Sequence, residues 1–160
     1  DMNVYVYDPY VEKEKVKISG AIPVDNISEN LQKMDAVTLH CPKNDETTDL
    51  FTKQEFDLMK KSSFIINCAR GGILNEEDLY EALKDENISG AGLDVFDVEP
   101  TPSSNPLFKL NNVILSPHIA GVTVESTVRM ATETVQNVLD VLDDKVNQSV
   151  VINNKEIGMK

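Results

Sequence analysis

A chain of 160 residues with 41% hydrophobic and 26% charged side chains is long enough to bury the core of one globular domain. Its formal net charge of −12 argues against nucleic acid or an acidic membrane surface as a partner. No apolar run approaches the roughly 18 residues that a membrane helix needs. No basic, apolar leader precedes the first strand, so we expect neither a membrane nor a secretory segment.

The first half of the chain alternates short β-branched or aromatic runs with charged segments. Proline ends two of these runs, at Asp8-Pro9 and at Cys41-Pro42. The predicted strands are 4–7, 22–24 and 36–40, and the predicted helical segments are 10–20 and 26–33, the second capped by Asn26 or Ser28.

The second half repeats this alternation with clearer helix starts. Thr52 and Glu55 form a capping box, and Asn75 precedes an acidic first turn, so each predicts a helix N-terminus. Gly90 and Gly92 in one run indicate close approach of another backbone. The predicted strands are 64–67, buried on both faces, 88–93 and 113–115, and the last helix is 123–142, with one buried face.

Strands that alternate with helices indicate a parallel sheet, and such sheets bind ligands at the carboxyl ends of their strands. Arg70, Asp94 and His118 follow three successive strands, and Glu99 lies in a nearby proline-rich loop. A histidine backed by a carboxylate is an acid–base pair, and an arginine binds a carboxylate in two-point geometry. The alternative is a set of loop salt bridges.

Three residues after strands have two interpretations each. Asp8 is either a turn aspartate before proline or a ribose ligand of a dinucleotide. His40 is either structural or a cofactor contact at the same edge of the sheet. The two cysteines, Cys41 and Cys68, are predicted to be buried free thiols in a reducing cytoplasm, because both follow apolar runs.

Three ordered motifs resemble those of the D-isomer-specific 2-hydroxyacid dehydrogenases. They are Ile66-Asn67-Cys68-Ala69-Arg70-Gly71-Gly72-Ile73, then Gly92-Leu93-Asp94-Val95-Phe96 with Glu99-Pro100, then Ser116-Pro117-His118-Ile119-Ala120-Gly121. The resemblance covers nearly the whole chain and implies NAD as cofactor, a small 2-hydroxyacid or 2-oxoacid as substrate, and a homodimeric full-length enzyme.

The resemblance also implies a role for each motif residue. Arg70 is expected to hold the substrate carboxylate and carbonyl, His118 to be the acid–base, and Glu99 to be its partner carboxylate. Asp94 is expected to fix the nicotinamide carboxamide and Asp8 to bind the adenosine ribose. In addition to Asp94 and Asp8, the residues expected to line the cofactor are His40, Cys41, Pro42, Cys68, Ala69, Arg70, His118 and Gly121. No metal is expected.

The sequence departs from the family pattern in one large respect, since it contains no Gly-x-Gly-x-x-Gly turn for the pyrophosphate. Lys43-Asn44 and Thr48 also differ from the usual loop pattern. The expected fold is therefore α/β, a partial Rossmann-type doubly wound parallel sheet without its first strand and Gly-rich turn, followed by a long C-terminal helix.

The start at Asp1, without methionine, indicates a piece of a longer chain. We expect 1–122 to be the later portion of an NAD-binding domain. Residues 123–160 are expected to be an interdomain helix and a tail that returns to a substrate domain. Two alternatives to an enzyme stay open: a corepressor-like binding protein that senses NAD, and an inactive remnant.

Overall fold

Six short strands and four α-helices make up the fold in this computed structural model, which describes residues 2–153 and 156. The strands are β1 Tyr5–Val6, β2 Ile22–Pro23, β3 Ala36–Leu39, β4 Phe64–Asn67, β5 Gly90–Leu93 and β6 Val113–Leu115. The helices are α1 Lys13–Ile18, α2 Lys53–Leu58, α3 Glu76–Lys84 and α4 Val124–Leu142. Short 3₁₀ helices cover Leu31–Lys33, Pro106–Lys109 and Gln148–Val150.

The strands form two parallel sheets. One has the order β3-β4-β5-β6, and the other is the pair β1-β2. Leu39 pairs with Asn67, and Asn67 pairs with Leu93, so the carboxyl ends of β3, β4 and β5 lie level with one another. This confirms the predicted α/β architecture with parallel strands.

The core lies among β3–β6, α2 and α3, and the predicted helix starts position the two helices. Thr52 and Glu55 form the capping box of α2, and the Asn75 side chain accepts a hydrogen bond from the Asp78 amide at the start of α3. Phe56 of α2 and Leu79 of α3 are both fully buried. Burying a side chain of this size stabilises the fold by about 1.5–3 kcal/mol.

Two predictions in this region need correction. Strand β4 is not buried on both faces, because Phe64 is 50% exposed while Ile65 is fully buried. The capped helix over 26–33 is only the 3₁₀ turn Leu31–Lys33. The Asn26 side chain instead accepts the Ser28 amide, and such a local bond competes with a helix start.

The glycine prediction holds at one of its two positions. A Cβ atom on Gly90 would lie 2.8 Å from the Asn112 carbonyl oxygen, so this backbone contact requires glycine. A Cβ atom on Gly92 would meet only the Ile66 side chain, at an ordinary 3.8 Å.

The chain divides into two compact units, the first ending at His118 and the second beginning at Ile119. The second unit contains α4, which begins with a capping box between Thr123 and Ser126. Its predicted buried face is exposed: Val128, Val135 and Val138 are 59%, 60% and 56% exposed. Periodicity identified the apolar face correctly, but it carries no information about what covers that face.

None of the helices in the described part of the chain has the length and apolar content that a membrane span requires. The C-terminal tail of the sequence prediction lies partly outside the described residues.

Candidate active site

The carboxyl ends of β3 to β6 bring most of the predicted site residues to one edge of the four-stranded sheet. His40 and Cys68 directly follow β3 and β4, Asp94 follows β5, and Ser116 follows β6. Because all four strands run parallel, their carboxyl ends share that edge. The edge contains two separate pockets.

The first pocket has a volume of about 560 Å³ and combines two cations with polar and thiol groups. Arg70 and Lys43 contribute positive charge, although the chain as a whole carries −12. The complete lining is His40, Cys41, Pro42, Lys43, Cys68, Ala69 and Arg70. All of these except Lys43 were predicted from the sequence. Two cations in an acidic protein make this pocket suited to an anionic ligand.

The two cysteines are free thiols, as predicted, but they differ in burial. Cys41 is half-buried, and this burial raises the pKa of its thiol. Cys68 is exposed, so the prediction that it is buried is wrong. The reason is positional, since Cys68 lies one residue beyond the end of β4, where the chain leaves the sheet at the pocket. His40 is also exposed, and its Nε2 lies 2.9 Å from the Thr38 hydroxyl.

Arg70 lies on a tight turn that the Asn67 side chain holds. Asn67 is 1% exposed, its Nδ2 donates to the Arg70 carbonyl at 2.9 Å, and its Oδ1 accepts the Ala69 amide at 3.0 Å. The Arg70 side chain is exposed, and its Nη1 donates to the Ala69 carbonyl at 2.6 Å. The turn therefore presents the guanidinium to solvent from a fixed backbone.

The next residue, Gly71, lies directly against the loop that follows β5. A Cβ atom on Gly71 would lie 1.8 Å from the Phe96 carbonyl oxygen, a distance that no side chain can occupy. Glycine is required here so that the Arg70 turn and the Phe96 loop can pack backbone to backbone.

Glu99 and His118 form the predicted carboxylate–imidazole pair. His118 Nδ1 lies 2.8 Å from Glu99 Oε2, and the Phe96 amide donates to Glu99 Oε1 at 2.9 Å. These two hydrogen bonds hold the pKa of the Glu99 carboxyl below its usual value, with the His118 contact as the larger cause. The His118 side chain is 48% exposed, and its backbone φ of 54° lies in the left-handed region. Strain of this kind concentrates at functional positions.

Asp94 is a buried carboxylate, 2% exposed, at the end of β5. The Ser116 hydroxyl donates to its Oδ1 at 2.6 Å, and the Asp94 amide donates to the Asn67 carbonyl at 3.0 Å. Asp94 thereby connects the ends of β4, β5 and β6.

The second pocket, about 620 Å³ in volume, surrounds the Glu99–His118 pair. Its lining is more apolar and consists of Phe96, Glu99, Pro100, Thr101, Phe108, Leu115, Ser116, Pro117 and His118. Arg70 and His118 therefore line different pockets at the same edge of the sheet. The proline-rich loop contributes much of this second lining, which strand-end reasoning did not predict.

Three predicted cofactor residues lie outside both pocket linings: Asp8, Gly121 and the buried Asp94. The Asp8 side chain is exposed and accepts the Tyr10 amide at 2.9 Å, which is the turn geometry of the alternative interpretation. Its second carboxylate oxygen does not take part in that bond. Gly121 lies in the second unit, and a Cβ atom on it would meet nothing within 4 Å.

Besides the loop lining of the second pocket, sequence reasoning missed Asn67, Ser116 and Lys43. A polar residue at the end of an apolar strand was the available signal for Asn67, and the serine beside Pro117 was the signal for Ser116. Among the described residues, no group of three or more histidines, cysteines and carboxylates could hold a metal ion.

Comparison with known proteins places these features in context. Residues 1–120 match the family model described as "D-isomer specific 2-hydroxyacid dehydrogenase, NAD binding domain". The chain is 41% identical over 150 residues to the D-3-phosphoglycerate dehydrogenase of Methanocaldococcus jannaschii, which covers 94% of this chain and 28% of that protein. It is 36% identical over 157 residues to the glyoxylate reductase of Thermofilum pendens, covering 98% and 46%.

A solved structure agrees with the fold. The NAD-complexed D-isomer specific 2-hydroxyacid dehydrogenase of Lactobacillus delbrueckii ssp. bulgaricus superposes with a TM-score of 0.82 at 29% identity, over 93% of this chain and 48% of that one. The chain thus spans less than half the length of these relatives.

Proposed function

The chain belongs to the D-isomer specific 2-hydroxyacid dehydrogenases, and from this premise we propose that it supplies the NAD-binding and acid–base parts of an oxidoreductase. The reaction interconverts a D-2-hydroxyacid and its 2-oxoacid. The observation that carries the proposal is the 2.8 Å contact between His118 Nδ1 and Glu99 Oε2. A histidine held by a carboxylate is the acid–base unit that this reaction needs.

The two nitrogens of the His118 ring have different roles. Glu99 engages Nδ1, which leaves Nε2 to exchange a proton with the substrate hydroxyl. In the oxidation direction His118 takes that proton, and Glu99 stabilises the imidazolium that forms. When NAD is bound, it supplies the hydride chemistry at the substrate carbon.

Arg70 is the proposed anchor for the substrate carboxylate and carbonyl. Its guanidinium is exposed on a turn of fixed backbone, and it can donate two parallel hydrogen bonds to a carboxylate. Binding at this point orients the substrate carbon that exchanges the hydride.

The first pocket fits an anionic dinucleotide, because Arg70 and Lys43 place two cations in it. We assign His40, Cys41, Pro42, Cys68 and Ala69 to the cofactor lining. Asp94 is assigned to the nicotinamide carboxamide, Asp8 to the adenosine ribose, and Gly121 to a backbone contact. The 160 residues contain no Gly-x-Gly-x-x-Gly turn to bind the pyrophosphate of that ligand.

We extend the proposal to the whole protein in three respects. Residues 1–122 serve as the later portion of an NAD-binding domain, and α4 with the following tail returns to a substrate domain. The protein acts as a homodimer. The free thiols of Cys41 and Cys68 support a reducing, cytoplasmic compartment.

The substrate class follows from the relatives named above. We propose a 3-phosphoglycerate-like hydroxyacid, with glyoxylate as the competing choice. Comparing kcat/KM for 3-phosphoglycerate oxidation with that for glyoxylate reduction, in the protein as its gene encodes it, decides between them.

The central experiment measures NADH-dependent reduction of a 2-oxoacid by the same protein and by its His118→Ala variant. We expect turnover to fall about 10²–10⁴-fold, because proton transfer loses its catalyst. NADH binding should change little, since the ring carries the proton step. Near-normal turnover in the variant would refute the assignment of His118. A wild-type protein that binds NADH but reduces no 2-oxoacid would instead favour a binding protein that senses NAD.

A further inference from the structure

We propose that Asn67 is a positioning residue whose buried carboxamide fixes the turn that presents Arg70 to the substrate. The inference deepens the proposed function and rests on it, because it assumes that Arg70 binds the substrate carboxylate. Asn67 itself is 1% exposed and lies beneath the turn, so it acts through Arg70.

Position 67 needs a donor and an acceptor on one short side chain. Nδ2 donates to the Arg70 carbonyl at 2.9 Å while Oδ1 accepts the Ala69 amide at 3.0 Å. If the Asn67 amide were flipped, its NH₂ group would face the Ala69 N–H and its oxygen would face the Arg70 carbonyl. The two partners therefore determine which terminal atom of the amide is nitrogen and which is oxygen. Ionised aspartate supplies no donor, and leucine of similar volume supplies neither group.

Packing alone would not require a polar side chain at position 67. Neighbouring Ile65 on β4 is fully buried and apolar, and burying an amide is costly unless both of its ends are bonded. Both bonds of the Asn67 side chain go to the Ala69–Arg70 turn. The buried amide therefore fixes the conformation of the segment that carries the guanidinium.

The turn that carries Arg70 is also connected to the other proposed functional groups. The Asn67 carbonyl accepts the Asp94 amide at 3.0 Å. Gly71 packs on the Phe96 carbonyl, and the Phe96 amide donates to Glu99. A shift of the Arg70 turn would thus alter both the distance from Arg70 to its substrate and the support of the acid–base pair.

Asn112 offers a matched control. Its Nδ2 also donates to a main-chain carbonyl, that of Leu83, at 3.0 Å. It precedes β6, so it lies at the opposite edge of the sheet from the pockets. Asn112→Asp therefore makes the same chemical change as Asn67→Asp, away from the site.

The experiment compares both aspartate variants with wild type, in the protein as its gene encodes it. We expect Asn67→Asp to lower kcat/KM for the 2-oxoacid about 10–100-fold, chiefly through KM, because misplaced anchoring groups cost this much. Asn112→Asp should keep wild-type kcat/KM, even where its unfolding temperature falls by a similar amount. Equal kcat/KM in the two variants, or an equal loss in both, overturns the inference.

Substrate binding gives a second measurement that is independent of turnover. Arg70→Lys identifies the Nε–H signal of Arg70 in an NMR spectrum, as the signal that this variant loses. Titration with oxamate, a carboxylate beside a carbonyl, should shift that signal in wild type. About tenfold more oxamate should be needed in Asn67→Asp. If that variant does not fold, the neutral Asn67→Leu, which supplies neither a donor nor an acceptor, takes its place with the same expected result.

The outcomes separate this inference from the proposed function. A wild-type protein without 2-oxoacid turnover and without an oxamate-induced Arg70 shift refutes the proposed function, and the inference with it. A wild-type protein that shows both, beside an Asn67→Asp variant that matches it, refutes the positioning role alone.

Discussion

Two kinds of polar side chain meet at the carboxyl ends of β4, β5 and β6, and they differ in burial. Asn67 and Asp94 are 1% and 2% exposed, whereas the side chains of Glu99 and His118 are 35% and 48% exposed. Both kinds are hydrogen-bonded, but the buried pair bonds largely to main-chain groups and to Ser116. Asn67, Asp94 and Ser116 form a platform of hydrogen-bonded groups that holds the loops in place. The exposed Glu99 and His118 are accessible to ligands.

This comparison predicts that changes to exposed groups reduce activity alone, while changes to the platform reduce activity and stability together. The largest effect tests the exposed side. Arg70→Lys removes the planar fork of the guanidinium but keeps its charge, so we expect kcat/KM for a 2-oxoacid to fall about 10²-fold. The free energy of unfolding should stay within about 0.5 kcal/mol of wild type, because Arg70 is exposed.

Arg129→Lys on α4 is the control for that measurement, since it makes the same substitution outside both pockets. It should leave kcat/KM unchanged. Similar turnover in the two variants would contradict the role proposed for Arg70, and a large loss of stability in Arg70→Lys would contradict the comparison itself.

A smaller effect tests the platform. Ser116→Ala deletes the hydroxyl that donates to Asp94 at 2.6 Å, so the buried carboxylate loses a donor. We expect the free energy of unfolding to fall by about 1–2 kcal/mol, with a parallel loss of NADH affinity. Urea unfolding and NADH titration of the same sample measure the two quantities.

Ser63→Ala is the matched control for Ser116→Ala, because Ser63 is also buried and its hydroxyl donates to the Lys60 carbonyl at 2.7 Å. Ser63 lies just before β4, at the edge of the sheet away from the pockets. A comparable loss of stability with unchanged NADH affinity is expected there. If both serine variants lose NADH affinity equally, Ser116 has no specific function in the platform.

How far the sequence predicts this arrangement depends on the range of the interaction involved. Strand ends and helix caps are set by residues within a few positions, so the strand Val113–Leu115 and the capping box of Thr52 and Glu55 appear as expected. The shared edge of the sheet follows from parallel pairing alone. These local and topological rules place the predicted residues at the correct ends of their strands.

The sequence pattern could not predict how distant segments of the chain pack against one another. Arg70 and His118 fall into different pockets because the proline-rich loop and the Gly71 contact shape the space between strand ends. Cys68 is exposed for a similar reason, as it follows the last paired residue of β4. The apolar repeats of α3 and α4 look alike, yet Leu79 is fully buried and Val135 is 60% exposed.

The smallest predicted effect concerns pH and returns to the exposed pair. Because the pKa of Glu99 is lower in the folded protein than its usual value, the native state binds this proton less readily than the unfolded state. The resulting stabilisation is fully present above about pH 4.3 and is lost as the pH falls through the lower native value. With both side chains a third or more exposed, it should amount to about 1 kcal/mol or less. Unfolding free energies of wild type and Glu99→Gln measure it from about pH 5 downward, below the range in which histidine normally titrates: their difference should shrink as the pH falls. A difference that grows over that range would mean that the carboxylate form is not the one the fold stabilises, and the contrast between platform and exposed pair would then lack its electrostatic basis.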